Sequence, residues 1–177
     1  GEAPCMIKVK DVKVGIAICE DFWRGFDAEA APTYEINPVA ELIDHGCKII
    51  VSPSASPFVT QKRERHLQYT LELAAEHNVT VVMCNQVGGN DDLVFDGGSF
   101  ITSPNGLLGE LPLFETHAIA FDLSSPVVAE APLPIEDEER FNALRLGVHD
   151  YFNKTNHVQA VVGLSGGIDS ALTATIA

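Results

Sequence analysis

Two short stretches carry residues whose types and spacing suit covalent or phosphate chemistry. In the first, Cys19 is followed directly by Glu20, Asp21, Phe22 and Trp23, at the end of an apolar run. A thiol with carboxylates beside it at the C-terminal end of a strand sits where α/β proteins place their chemistry. A free thiol of pKa about 8.5 is mostly protonated at neutral pH and needs a base or a cation nearby to act as a nucleophile. Most unpaired cysteines are small buried apolar groups, so from these residues alone Cys19 stands open between nucleophile and core filler. The second stretch is Ser165-Gly166-Gly167-Ile168-Asp169-Ser170, between the apolar run 160–164 and an Ala/Leu/Thr segment of helical spacing. Two glycines let a backbone turn sharply and approach a ligand closely. The first turn of a following helix offers free N–H groups and the positive end of its dipole to an anion. Ser165 and Ser170 add hydroxyls, and Asp169 suits the N-cap region. The plainer alternative is a capped strand-to-helix turn with no ligand.

Elements that position these residues follow from periodicity. Residues 8–18 alternate as a strand that becomes fully buried toward Cys19, and residues 32–45 read as a helix ended by Gly46. Residues 47–51 form the next strand, leading into the turn Ser52-Pro53-Ser54-Ala55-Ser56-Pro57-Phe58. Three serines between two prolines read by themselves as an ordinary loop; the position at the end of a strand, as with Cys19, is what favours the alternative that Ser56 lines the same pocket. A helix begins at Lys62, whose charge run is an ordinary solvated face from which Lys62 can still turn inward. Residues 79–84 are a buried strand, and 85–92 a Gly/Asn/Asp turn whose Asp91 and Asp92 lack further ligands at metal-binding spacing. Residues 93–95 and 99–101 read as strands joined as a hairpin through Asp96-Gly97-Gly98, and residues 117–123 as one more strand. The proline-rich residues 124–135 read as a linker, and a helix bearing Phe141, Leu144, Val148 and Phe152 follows. The residues 160–164 read as a buried strand. The alternation is α/β throughout.

Composition narrows the classes. The 177 residues carry 46% hydrophobic residues and a formal net charge of -14, from 11 Lys+Arg against 25 Asp+Glu. That balance argues against nucleic acid or an anionic membrane as the main partner. It makes an anion site depend on local backbone dipoles, with Mg²⁺ as a helper. No apolar run reaches membrane-spanning length and no secretory signal is evident. The four cysteines show no C-x-x-C pairing, so they are expected as reduced thiols in the cytoplasm, with no metal site.

Ser165-Gly166-Gly167-Ile168-Asp169-Ser170 resembles the PP-loop of ATP pyrophosphatases, and lacks both the Walker Gly-Lys-Ser/Thr and the dinucleotide G-x-G-x-x-G patterns. Ile16-Ala17-Ile18-Cys19-Glu20-Asp21-Phe22-Trp23 resembles the nucleophile segment of the nitrilase superfamily. Ser54-Ala55-Ser56-Pro57-Phe58, Asn85-Gln86-Val87-Gly88-Gly89 and Val94-Phe95-Asp96-Gly97-Gly98-Ser99 look like later segments of one branch, the glutamine-dependent NAD⁺ synthetases. The resemblance implies the C-terminal half of a nitrilase-like α-β-β-α sandwich followed by the first βα unit of a Rossmann-like PP-loop domain. It divides the chain into a partial glutaminase domain (1–123), a linker (124–135) and the start of the synthetase domain (136–177). It implies that Cys19 attacks the glutamine amide, releasing ammonia and forming a thioester. Glu20, Ser56 and Lys62 match positions that hold the glutamine α-amino and α-carboxylate groups. Ser165, Gly166, Gly167, Asp169 and Ser170 match the binders of the ATP phosphates, with Mg²⁺ as a companion. The small-molecule substrates implied are glutamine, ATP and deamido-NAD, and nitrilase-type domains usually self-associate, so a homo-oligomer is expected.

The superfamily supplies its glutamate base and oxyanion-holding lysine from segments before the cysteine strand, and none of Lys8, Lys10 or Lys13 sits in a matching motif. The sequence is therefore expected to be an internal piece of a longer enzyme, inactive alone. Three other readings stand beside this one: a different PP-loop amidotransferase, a nitrilase-type amidohydrolase, and a non-catalytic nucleotide-binding module.

Overall fold

The computed structural model describes residues 4–22, 36–124 and 135–177. The proposed linker 124–135 and the first part of the helix expected over 32–45 lie largely outside the described residues, as does Trp23. The chain opens with a hairpin, β1 (Cys5–Val9) paired antiparallel to β2 (Val12–Ile16). Lys10 takes a positive φ of 54° at its turn. One strand over 8–18 was the expectation. The polar pair Lys10-Asp11 breaks it instead, because two residues suffice to reverse an antiparallel pair.

From β2 the chain builds parallel pairings. Helix α1 (Pro38–Asp44) leads to β3 (Ile49–Ser54), and α2 (Lys62–His77) leads to β4 (Thr80–Asn85). Asn37 starts α1, its Oδ1 accepting from the N–H groups of Val39 (3.1 Å) and Ala40 (3.2 Å), with Pro38 at the first helical position. β2 pairs parallel with β3, and β3 with β4. Two antiparallel strands, β7 (Phe100–Ser103) and β8 (Gly106–Glu110), extend the sheet to the order β1-β2-β3-β4-β7-β8. Alternate residues of β3 and β4 (Ile50, Ser52, Val81, Met83) are buried. Of these, Ile50, Val81 and Met83 pack with Phe22, Val39, Leu42, Val79 and Phe100 into one core. Full burial of each such apolar side chain stabilises by roughly 1.5–3 kcal/mol, so this cluster fixes the level at which β2, β3 and β4 end.

A separate two-stranded ribbon, β5 (Val87–Asn90) and β6 (Leu93–Asp96), stands apart from the sheet. Residues 85–92 are therefore not one long turn; only Asp91-Asp92 turns. Nor do residues 93–95 and 99–101 form a hairpin, since β6 pairs with β5 while β7 pairs with β4 and β8. Gly97 and Gly98, at φ 66° and 57°, carry the chain from ribbon to sheet. A Cβ at Gly97 would lie 2.5 Å from Val87 Cγ2, so the crossover needs a residue without one. The strand expected over 117–123 is absent: those residues form no ladder, and most are exposed. Residues 160–164 likewise form no strand, with Val161 fully exposed (100%). An apolar run becomes a strand only when an edge offers its N–H and C=O groups a partner, and among the described residues none pairs with either segment.

Helix α3 (Glu136–Thr155) forms as expected and packs on the β5–β6 ribbon. Asp150 Oδ2 accepts from Gly89 N–H at 2.8 Å, and Lys154 Nζ donates to the Gly89 carbonyl. Helix α4 (Ile168–Ile176) closes the chain. The expected α/β class holds, with a mixed rather than wholly parallel sheet.

Candidate functional site

Cys19 opens a short 3₁₀ turn, Cys19–Phe22, at the C-terminal end of β2. Its φ of 44° is left-handed, a conformation sparse for a residue with a Cβ and held only where the surroundings enforce it. Three contacts enforce it here. Ala17 N–H donates to Val51 C=O at 3.0 Å, tying the segment to β3. Ile18 N–H donates to Asp21 Oδ2 at 2.6 Å. Phe22, 1% exposed, plugs the core. Asp21 thus closes the turn, and Glu20 is exposed beside the half-buried thiol.

The strand register carries the ends of β3 and β4 to the same edge, with Ser54 opposite Asn85. Beyond them lies a pocket lined by Ser54, Ser56, Lys62, Arg63, Asn85 and Asp96 among others. Of the residues singled out in the first half of the chain, Ser56 and Lys62 line this pocket; Cys19 and Glu20 lie at the same sheet edge, two strands from β4, and do not line it. Ser56 is buried, and Lys62 Nζ donates to Pro57 C=O at 3.2 Å.

Three residues that sequence reasoning did not single out hold this pocket together. Asn85 accepts from Ser56 N–H (2.9 Å) through Oδ1 and donates through Nδ2 to Ser56 C=O (3.2 Å) and Asp96 Oδ1 (2.9 Å). Arg63 Nε donates to Gly98 C=O at 3.2 Å and its guanidinium pairs with Glu110, both side chains being nearly buried. Burial pushes the Asp96 carboxyl up to about 6, against the pull of its own backbone hydrogen bond and of Lys62 and Arg63, with Glu64 pushing the same way as burial. Glu139, on α3 and 7% exposed, is likewise raised by burial and by the negative charges of Glu64 and Asp96, against Arg63. One signal was available for Asn85: it ends a parallel strand, as Cys19 nearly does. Nothing in the sequence pointed to Glu139.

The C-terminal loop is a separate, exposed arrangement. Gly166 has φ 84° and open space where a Cβ would stand. Ser165 N–H donates to Ser170 Oγ at 3.2 Å, Gly167 N–H donates to Ser165 Oγ at 3.3 Å, and the two serine hydroxyls meet at 3.1 Å. Gly167, not Asp169, is the N-cap of α4; Asp169 lies in its first turn and makes no cap bond. Among the described residues, no group of three or more His, Cys, Asp or Glu is arranged to hold a metal ion. No helix among them is long and apolar enough to cross a membrane.

Residues 140–177 match the family model for NAD synthase. Across 95% of the chain the sequence is 43% identical to a glutamine-dependent NAD(+) synthetase of Synechocystis sp., covering 31% of that protein. It is 33% identical across its whole length to the Thermotoga maritima enzyme of the same name, covering 36% of it. In three dimensions it superposes with a TM-score of 0.87, at 33% identity, on glutamine-dependent NAD+ synthetase from Acinetobacter baumannii solved with adenosine diphosphate. All of this chain and 33% of that one are covered. A synthetase from Cytophaga hutchinsonii shares the fold, with a TM-score of 0.74 at 22% identity. The chain thus spans about a third of the length of the relatives it matches. In sequence from end to end and in fold, it is similar to about a third of the length of the glutamine-dependent NAD(+) synthetases.

Proposed function

We propose that this chain supplies part of a cytoplasmic enzyme that amidates deamido-NAD with ammonia taken from glutamine. In this reading residues 1–123 belong to the glutaminase half, 124–135 to a linker, and 136–177 to the synthetase half. The observation that carries it is the strained, anchored turn at Cys19. A thiol held in a left-handed conformation at the end of a parallel strand has been fixed by its neighbours, where a core filler needs no such constraint. Cys19 Sγ adds to the carboxamide carbon of glutamine, the C–N bond breaks, and ammonia leaves with the proton it needs. The remaining acyl group stays on sulfur until water releases glutamate. Ser56 and Lys62, already together in the neighbouring pocket, and Glu20, beside the thiol, would hold the charged α-groups of glutamine.

The residues Ser165, Gly166, Gly167, Asp169 and Ser170 would hold the phosphates of ATP. The open space at Gly166 and the convergent serine hydroxyls fit a phosphate. Asp169 in the first helical turn, on a chain of net charge -14, calls for a cation such as Mg²⁺ with it. ATP, when bound, would transfer its adenylyl group to the nicotinate carboxylate with loss of pyrophosphate, so that ammonia could add at that carboxyl carbon and displace AMP, leaving the amide. The free thiols Cys5, Cys47 and Cys84 suit a reducing compartment.

The test is Cys19→Ala in the full enzyme, assayed with glutamine and separately with ammonium salt. Loss of the glutamine-driven reaction by at least a thousandfold, with ammonia-driven NAD⁺ formation kept, is the expected result. Equal loss of both, in a folded protein, counts against the division of roles.

A further inference from the structure

Of the residues that line the pocket at the edge where Cys19 lies, Asn85 also braces another, Ser56. Ser56 lies in the loop after β3, 29 residues from Asn85 at the end of β4. Backbone pairs flank the loop on both sides, Gln86 N–H donating to Ser54 C=O at 2.9 Å and Phe58 N–H to Val94 C=O at 2.7 Å, and Ser56 lies between them. Its peptide is held by a side chain: Asn85 Oδ1 accepts from Ser56 N–H at 2.9 Å, and Asn85 Nδ2 returns a donor to Ser56 C=O at 3.2 Å. An amide side chain gripping both the N–H and the C=O of Ser56 continues the pairing that the backbone resumes one residue later, at the Pro57–Phe95 bridge to β6.

The amide is itself oriented. Asn85 Nδ2 also donates to Asp96 Oδ1 at 2.9 Å, and Asn85 N–H donates to Ser99 Oγ at 3.0 Å. Asp96 is 7% exposed and ends β6, so the acceptor is fixed by the ribbon. With a carboxylate oxygen on one side, only the Nδ2 edge of Asn85 can face Asp96, which leaves Oδ1 to face the Ser56 N–H.

We propose that Asn85 is a positioning residue for the glutamine pocket, and that Asp96 sets the orientation in which it works. This rests on Ser56 and Lys62 binding glutamine. Asn85 touches no reacting atom; it fixes where Ser56 stands, and so the affinity of the pocket for the α-groups of glutamine. A brace of this kind is read in KM and not in kcat, because the thiol chemistry at Cys19 is unaltered once substrate is seated.

The experiment measures glutamine KM and kcat in the full enzyme for four variants, each normalised to the ammonia-driven rate of the same preparation. Asn85→Ala is expected to raise glutamine KM by about tenfold, with kcat within about twofold. Asp96→Leu, which removes the orienting oxygen, gives the same split. Asp96→Asn, which keeps an oxygen opposite Nδ2, gives a rise several times smaller than Asp96→Leu. A purely structural role for the pair predicts no such graded effect on KM, whatever the two Asp96 variants do to thermal stability. The fourth variant, Ser56→Ala, separates the layers of the argument. If it raises KM while Asn85→Ala and Asp96→Leu do not, the brace is wrong and the pocket stands. If none of the three moves KM, the pocket itself is misassigned and the proposal falls with it. Should Asn85→Ala not fold, the ordering of Asp96→Leu against Asp96→Asn decides alone.

Discussion

At Asp96 the chain binds a proton more tightly folded than unfolded, because a carboxylate 7% exposed has lost its water. The carboxyl moves from an ordinary 3.8 to about 6, so between those values the native state holds more protons than the unfolded chain. Stability therefore falls as pH rises through that window, by an amount on the order of 3 kcal/mol for this group. Below it the group is neutral in both states and contributes nothing. Asp96→Asn should gain stability relative to the parent enzyme from pH 4 to pH 6.5 in urea unfolding; a parallel pair of curves would refute the assignment. The raised carboxyl of Glu139 acts in the same direction, so some slope remains in the variant. A second residue-scale test concerns the φ of 44° at Cys19. Glycine takes that conformation without strain, and forcing another residue into it costs on the order of 1 kcal/mol. Cys19→Gly should thus be at least as stable as Cys19→Ala, although glycine is usually the less stable choice. An alanine variant more stable by 1 kcal/mol or more would show the turn to be unstrained.

Among the elements, α3 and the β5–β6 ribbon depend on each other. A Cβ at Gly89 would come within 3.0 Å of Gly147 Cα, and one at Gly147 within 3.2 Å of Val94 Cγ2. Two backbones this close leave no room for a large side chain. Gly147→Leu should destabilise by about 1–3 kcal/mol in chemical denaturation. It should also weaken the glutamine-driven reaction more than the ammonia-driven one, since the ribbon ends in Asp96. Most of this level was legible in the sequence. The helices at 62–77 and 136–155 and the strands at 80–85 and 93–96 follow from apolar spacing and turn residues. The ribbon was misread because Val87-Gly88-Gly89-Asn90 has almost no side chain to pattern. It becomes a strand through its pairing with β6 and through Asp150 and Lys154 of α3, all distant in the chain.

Across the molecule, burial stops at α3. Of residues 158–177 only Val162, Ser170 and Ile176 are even partly covered, while Val158, Leu164, Ile168 and Leu172 are exposed (92%, 67%, 81% and 53%). Such a segment contributes little to the stability of the rest. A chain cut after His157, whose ring still stacks on Tyr151, should unfold within about 1 kcal/mol of the 177-residue chain. A larger loss would mean that this tail packs on the remainder in solution. At the other edge, Met6, Ile7, Val9 and Val12 leave the β1–β2 hairpin with exposed apolar side chains (38%, 51%, 52% and 40%). Unpaired edges of this kind promote association. Ile7→Lys should therefore lower the tendency of the 177-residue chain to associate, as read by sedimentation.

The sequence by itself determined the α/β class, most helices and strands, and the two stretches worth testing for chemistry. Those depend on local properties: apolar period, glycine at turns, and a thiol or hydroxyls of the right type side by side. Only the tertiary structure decided which distant residues meet. Asn85 grips Ser56, Asp96 orients Asn85, and Glu139 reaches the same buried charges from a helix far along the chain. It also decided that residues 160–164 stay unpaired, because an apolar run states only that burial is favourable, and a strand exists only where another backbone presents its hydrogen bonds.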